Sequence, residues 1–282
     1  MKTIDPKNTS TSLFHSYMLA AVAPRPIALA STIDKDGQVN LSPFSFFNAF
    51  SSNPPILIFS PARRVRDNST KHTLENVKEH PEVVINVVTY DLVQQTSLSS
   101  TEYARGVNEF IKAGLSEAAS SLVKPPRVAE SPVAFECKVR EVIALGSEGG
   151  AGNLIVCEVL MIHVSETVLD ENGKIDPLKL NLVGRMGADF YTKAFGEALF
   201  EVEKPLTKLG IGIDALPTHI KHSRTLTGNE LAQLANVEAM PTASQLEKVD
   251  LPTTNLRGEA LASFYLSQNN VLAAWKVLIN NL

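Results

Sequence analysis

Four cations, Arg63, Arg64, Arg66 and Lys71, crowd one short stretch, with Asn68, Ser69, Thr70 and Thr73 set among and just behind them. Guanidinium and ammonium groups neutralise a phosphate, hydroxyls donate to its remaining oxygens, and a helix opening just behind adds backbone N–H groups. Alone, such a run reads somewhat more readily as a solvated surface loop. A second group lies upstream. Phe44, Ser45, Phe46, Phe47 and Asn48 mix aromatic rings with small hydrogen-bonding groups. That mixture suits a flat, heteroatom-rich ring, whose faces need apolar cover and whose edges need donors and acceptors. The cationic loop sits directly after a predicted strand and close behind this turn, which favours phosphate binding over the surface-loop reading.

Other chemistries lack support. His219 and His222 are three apart, with no carboxylate or cysteine at ligand spacing, so no metal is expected. No Gly-x-Ser-x-Gly elbow occurs, so serine hydrolysis has no motif. Gly146 to Asn153 is glycine-rich, but no helix follows it. It reads as a hairpin connection, not as a phosphate cradle.

The elements that must position these groups begin with Pro24 to Ser45, a β-hairpin. Ile27 to Ala30 is a short apolar run, Asp34-Lys35-Asp36-Gly37 is a turn, and Val39 to Phe44 returns until Pro43 stops it, ahead of a Ser- and Asn-rich turn. Ile56 to Phe59 is a third strand, and Leu74 and Val77 mark a short helix closed by Pro81. Val83 to Tyr90 reads as a buried strand, with Asp91 as the next N-cap. Phe110, Ile111 and Leu115 suggest one packed turn, and Val123 to Pro132 is extended. In Val133 to Leu145, Val133, Phe135, Cys137 and Val139 alternate with outward Glu136, Lys138 and Arg140. Leu154 to Val164 is another strand, followed by a turn at Asp170-Glu171-Asn172-Gly173.

Six strands in hairpin-like succession with short helices inserted predict a mainly β chain and an antiparallel barrel, not a doubly wound parallel sheet. Composition changes near Phe200, which places one domain at 1–200 and a helical C-terminal extension at 201–282. In the latter, Thr227-Gly228-Asn229-Glu230 forms a capping box. Leu256, Leu261, Phe264 and Tyr265 mark one amphipathic segment, and Val271, Ala274, Trp275 and Leu278 another.

The chain has 282 residues, and its net charge of -4 provides no global field for nucleic acid. Cys137 and Cys157 are too few for a disulfide framework. They read as buried free thiols, with a bridge between neighbouring strands as the alternative. The N-terminus does not read as a signal peptide. The longest charge-free run, Pro43 to Ala62, carries paired prolines that would break a helix in lipid. The expectation is a cytoplasmic protein with no membrane or nucleic-acid partner.

The run PRPIALASTIDKDGQVNLSPFSFFNAFSSNPPILIFS resembles the flavin reductase-like family, the FMN-binding split-barrel proteins that include flavoredoxin. STKHTLENVKEHPEVVINVV, KPPRVAESPVAFECKV and LVGRMGADFY follow in the family's order. The succession, rather than any one piece, carries the resemblance. It implies a six-stranded Greek-key split β-barrel, usually a homodimer, with FMN in a groove at the subunit interface. Ser31, Thr32, Asn40, Leu41, Ser42 and Pro43 resemble the positions lining the isoalloxazine and ribityl chain. Phe44, Ser45 and Phe46 resemble the segment beside the flavin edge, where the Ser45 hydroxyl or a backbone N–H would reach N5, the catalytic position. Arg64, Ser69, Lys71 and Thr73 resemble the phosphate set, and Arg185, Met186 and Tyr191 the late segment near the site. His72 departs from the pattern, since many relatives carry Asp there. The tail after Phe200 lies outside it.

The resemblance implies an NAD(P)H:flavin oxidoreductase, in which hydride passes from NADH or NADPH to FMN and on to an electron-accepting protein or small molecule. Such transfer needs no protein acid or nucleophile, in keeping with the motifs that are missing. The alternatives are an FMN electron carrier reduced by a protein partner, and a ligand-binding barrel that does not use flavin.

Overall fold

The apolar run at Ala28 forms a hairpin. β1 (Ala28–Ile33) pairs antiparallel with β2 (Val39–Phe44), from Ala28 opposite Phe44 to Ile33 opposite Val39. Asp34 Oδ1 closes the turn by accepting the backbone N–H groups of Asp36 and Gln38, each at 2.9 Å. Gly37 takes φ 79°, which a residue without Cβ adopts without strain.

The computed structural model describes residues 1–252 and 255–280. They divide into two units, Met1–Phe200 and Glu201–Leu282. The first holds one antiparallel sheet of seven strands. To β1 and β2 it adds β3 (Phe47–Ser52), β4 (Pro55–Phe59), β5 (Glu82–Val87), β6 (Val133–Ala144) and β7 (Asn153–Val164), in the order β2-β1-β5-β6-β7-β4-β3.

Six strands are expected, and the additional one in this sheet is β3. It occupies the stretch that reads as a polar turn, pairs with β4, and is exposed from Asn48 onward. Pro43 does not stop β2 but lies within it, opposite Leu29. β2 is an edge strand, so a missing N–H on its outward side removes no ladder bond. A separate hairpin, β8 (Leu182–Arg185) with β9 (Tyr191–Ala194), joins through backbone bridges from Arg25 to Arg185 and from Thr89 to Leu182.

Helices α1 (Thr11–Ala21), α2 (His72–Glu79), α3 (Val93–Leu98) and α4 (Glu109–Ala113) complete the unit. β1 is buried on both faces. Ala28 and Ala30 pack with Phe44, Phe59, Ile85 and α2's Leu74 and Val77, while Leu29 packs with Leu41, Val88 and α4's Phe110. Phe110 and Leu115 are buried, whereas Ile111 is exposed. Asp91 is not an N-cap. It lies inside a 3-10 turn capped by Thr89 that runs straight into α3. Cys137 and Cys157 are buried free thiols, and burial pushes the Cys137 thiol up to about 12.

Glu136 also departs from the simple alternation. It is fully buried, because the segment after Ala119 folds over its face of the sheet. Its carboxylate accepts the N–H groups of Ser121 and Leu122, both at 2.6 Å, and of Val123 at 3.2 Å. His163 Nε2 lies 2.6 Å away. Burial alone would raise its pKa. The Ser121 and Leu122 N–H groups and His163 outweigh that and hold it below 4.5. A carboxyl depressed in the folded state stabilises above its unfolded pKa, and that stability is lost as pH falls through the folded value. Glu136→Gln is therefore expected to lower stability by about 1–3 kcal/mol at pH 7 and to flatten the acid limb. Chemical unfolding of both proteins across the acid range checks this. An acid limb as steep in the variant as in the wild type contradicts it.

The unit Glu201–Leu282 contains the short helices α5 (Thr218–Lys221) and α7 (Ala243–Glu247), with α6 (Gly228–Ala235), α8 (Gly258–Ser267) and α9 (Val271–Asn280). Trp275 is fully buried among Ile220, Leu234, Leu261 and Leu266, and its Nε1 donates to the Leu234 carbonyl at 3.2 Å. The Thr227–Glu230 capping box is formed, and Thr242 with Gln245 forms a second. Among the described residues no helix is long and apolar enough to cross a membrane.

Candidate functional site

The twofold period of β2 sorts the hairpin's side chains. Asn40, Ser42 and Phe44 lie opposite Thr32, Ala30 and Ala28 on one face, while Leu41 and Pro43 take the other. Asn40 Nδ2 donates to Thr73 Oγ1 at 3.0 Å, tying the strand to the first turn of α2. A solvent-open cleft of about 310 Å³ lies over this junction. Asn40, Ser42, Arg64, Lys71, Thr73 and Glu102 line it, together with His72, Ser99 to Thr101, Tyr103 and Glu109.

The cationic loop contributes two of its four cations to this cleft. Arg63 instead holds the loop's own bend, with Nε donating to Asn68 Oδ1 at 2.6 Å and Nη2 to the Asn68 carbonyl at 2.7 Å. Arg66 is exposed beside Asp67. Arg64 staples the loop from the cleft side. Its Nη1 donates to Ser69 Oγ at 2.9 Å and to the Thr70 carbonyl at 2.6 Å, and its Nε to Glu102 at 2.8 Å. The glycine-rich connection packs behind. Asn68 Nδ2 reaches the Ser147 carbonyl at 3.0 Å, and a Cβ on Gly149 would lie 3.1 Å from the Arg64 carbonyl.

Lys71 differs from the other three. It is partly buried, and among the described residues its ammonium makes neither a hydrogen bond nor an ion pair. Burial first, then the charge of Arg64, lowers its pKa from 10.5, with Glu102 pulling the other way. It is also the N-cap of α2, so the positive end of the helix adds to its charge. A partly desolvated ammonium that no acceptor meets directly gains from an anion brought into contact with it, beyond the more distant pull of Glu102. The residues present therefore fit a phosphate group.

Glu109 carries no sequence motif and was not anticipated. It reaches under the outer edge of β2, where its Oε2 accepts the Leu41 N–H at 2.9 Å. Burial raises its pKa, and that hydrogen bond offsets part of the rise.

A second cluster forms beyond the end of β2, around Arg25, which is 5% exposed. Its Nη1 donates to the Leu19 and Val22 carbonyls at the end of α1, at 2.5 and 2.7 Å. Its Nη2 donates to the Met186 carbonyl at 2.7 Å, and its Nε to Ser45 Oγ at 3.4 Å. The backbones of Arg25 and Arg185 exchange hydrogen bonds at 2.9 Å, and the Arg185 guanidinium stacks on Tyr191 at 4.7 Å. Phe46 meets His15 edge-on at 5.9 Å. Ser45, Phe46, Arg185, Met186 and Tyr191 thus belong to this end of the strand. Asn40 and Ser45 are about 16 Å apart along the chain at the usual strand rise.

Several expected site residues line neither place with their side chains. Leu41 and Phe44 are packed in the two cores. Thr32 is buried, accepting from Asn76 Nδ2 at 3.2 Å. Ser31 is fully buried, and among the described residues its Oγ has no hydrogen-bond partner. Pro43 is half-buried on the face opposite Asn40. Ser69 works through its neighbours, since its hydroxyl donates to Asp67 and accepts from Arg64. The strand period accounts for Leu41, Pro43 and Ser31, which face away from Asn40, whereas Phe44 and Thr32 share its face and are covered there by core packing and by Asn76.

Comparison with known proteins bears on the unit Met1–Phe200. A family model described as the flavin reductase like domain matches residues 20–180. An uncharacterised protein of Aquifex aeolicus is 39% identical over 196 residues, spanning 70% of this chain and 97% of its own. The structure of nitrilotriacetate monooxygenase component B from Bacillus cereus superposes with TM-score 0.67 at 26% identity, covering 72% of this chain and 98% of that one. Flavoredoxin of Desulfovibrio vulgaris (Miyazaki F) superposes with TM-score 0.56 at 21% identity, covering 73% and 98%.

Proposed function

This chain belongs to the flavin reductase-like domain family, and from that premise we propose that it is an FMN-using oxidoreductase reduced by NADH or NADPH. The observation that carries this reading is Lys71, a partly buried cation at the start of α2 whose ammonium makes no direct hydrogen bond or ion pair among the described residues. The cleft around it also offers Arg64 and the Thr73 hydroxyl. Lys71, Arg64 and Thr73 would hold the phosphate, with Asn40 and Ser42 beside the ribityl chain. When bound, the flavin supplies the redox chemistry by accepting a hydride.

Ser45 is the group that would touch the reacting edge of the ring. A hydroxyl that accepts from Arg25 keeps its own proton for another acceptor. Arg25 would thereby orient that proton, while Phe46 and Tyr191 cover the ring and exclude water. A second copy of the chain is the proposed partner. β3 is an edge strand exposed from Asn48 onward, with Phe50 63% exposed, and an exposed aromatic edge calls for cover.

The test is anaerobic reduction of the FMN-reconstituted protein. NADH or NADPH is expected to bleach the flavin band. A bound flavin that stays oxidised with both donors would favour an electron carrier reduced by another protein. A chain that cannot take up FMN at all would remove the flavin assignment.

A further inference from the structure

The cationic loop already faces an anion. Glu102, in the segment between α3 and α4, walls the cleft beside Lys71. Its carboxylate accepts from Arg64 Nε at 2.8 Å and from Arg66 Nη2 at 2.9 Å. The Glu102 side chain is 43% exposed and that of Arg66 70%, so water can replace this contact. The hydrogen bonds from Arg66 and Arg64 hold the Glu102 carboxyl below its ordinary range, and it stays charged at neutral pH. Arg64 spends Nη1 on the loop itself, through Ser69 and Thr70. An incoming dianion must therefore draw Glu102 away from Arg64 or lie beside a like charge.

We propose that Glu102 is a specificity-determining residue that keeps a phosphate-bearing flavin exchangeable, by competing with its phosphate for Arg64. The inference rests on the flavin reading of this cleft and extends it to how tightly the flavin is held. The competition acts on the phosphate end alone. A flavin without phosphate does not meet it, so Glu102 narrows the preference for FMN over riboflavin. The consequence is a phosphate-bearing flavin that leaves the cleft faster than it would without this carboxylate.

Glu102→Gln keeps the side chain's shape and removes its charge. The full-length wild type and the variant are titrated with FMN and with riboflavin at low salt, and FMN release is timed. The variant is expected to bind FMN about fivefold more tightly, the upper range for exposed charge pairs, and to release it correspondingly more slowly, with riboflavin affinity unchanged. Added salt is expected to shrink the difference. Glu102→Ala should move FMN affinity in the same direction, which guards against an effect peculiar to the amide. FMN affinity unchanged or weakened in both variants, with riboflavin still bound, overturns the inference. A wild type that binds neither flavin overturns the reading of the cleft on which it rests.

Discussion

Replacing Arg25 by Met is expected to lower the stability of the unit Met1–Phe200 by about 2–4 kcal/mol. The guanidinium satisfies three carbonyls, those of Leu19, Val22 and Met186, and supports Ser45 Oγ. Two of those carbonyls end α1, where a cation also meets the negative end of the helix dipole. Methionine fills similar volume but donates nothing, so three acceptors in a partly buried place lose a partner. An opposing effect exists. Burial, and then the charge of Arg185, lowers the Arg25 pKa, and methionine relieves that desolvation. Relief for one ion does not replace three lost acceptor partners, so the net sign stays destabilising. Arg25→Lys keeps the charge but cannot fork to several carbonyls, and is expected to fall between. Urea unfolding should show a lower midpoint at unchanged slope. A loss under about 1 kcal/mol for Arg25→Met would show that these carbonyls find other partners.

Lys71→Ala is expected to weaken FMN binding by about 1–3 kcal/mol, roughly ten- to a hundredfold, as for loss of a charge-assisted partner. Riboflavin affinity should hardly change, because it lacks the group that Lys71 meets. Arg64 cannot substitute easily, since its Nη1 and Nε are committed to Ser69, Thr70 and Glu102. The pH dependence has a definite sign. The ammonium form binds the phosphate, and its pKa in the free protein is below 10.5. FMN affinity should therefore fall as pH rises through that lowered value, and Lys71→Ala should remove this limb. Equal FMN affinity in the two proteins would take Lys71 out of the site.

Strands buried on at least one face were legible in the sequence, because burial imposes a pattern. β1, β5 and β7 follow from their apolar runs, and β6 from its alternation. β3 was not legible. Phe47 to Ser52 buries almost nothing, so no periodicity marks it. Pro43 looks like a strand stop because sequence does not reveal which strand is an edge. Glu136 looked outward by alternation and is buried by a segment that folds over it, a tertiary fact with no local signature. The site divides in the same way. Arg64, Lys71 and Thr73 are close in sequence and stay close in space, and Asn40 meets Thr73 through a hydrogen bond. Leu41 does not line the cleft because neighbours along a strand point apart, and Phe44, on the cleft's own face, is packed into the core farther along. Arg25, Glu102 and Glu109 belong to no spacing motif. Arg25 stands in the quoted Pro24-Arg25-Pro26, but its partners at Leu19, Val22, Ser45 and Met186 converge only in the folded chain.

The most direct measurement is phosphorus NMR of FMN bound to the full-length chain, with flavin fluorescence reporting occupancy. The phosphate signal is predicted to shift on binding to the wild type, and that shift to be lost or strongly reduced in Lys71→Ala at matched occupancy. A bound flavin whose phosphorus signal is the same in both proteins would place the phosphate elsewhere and contradict the account.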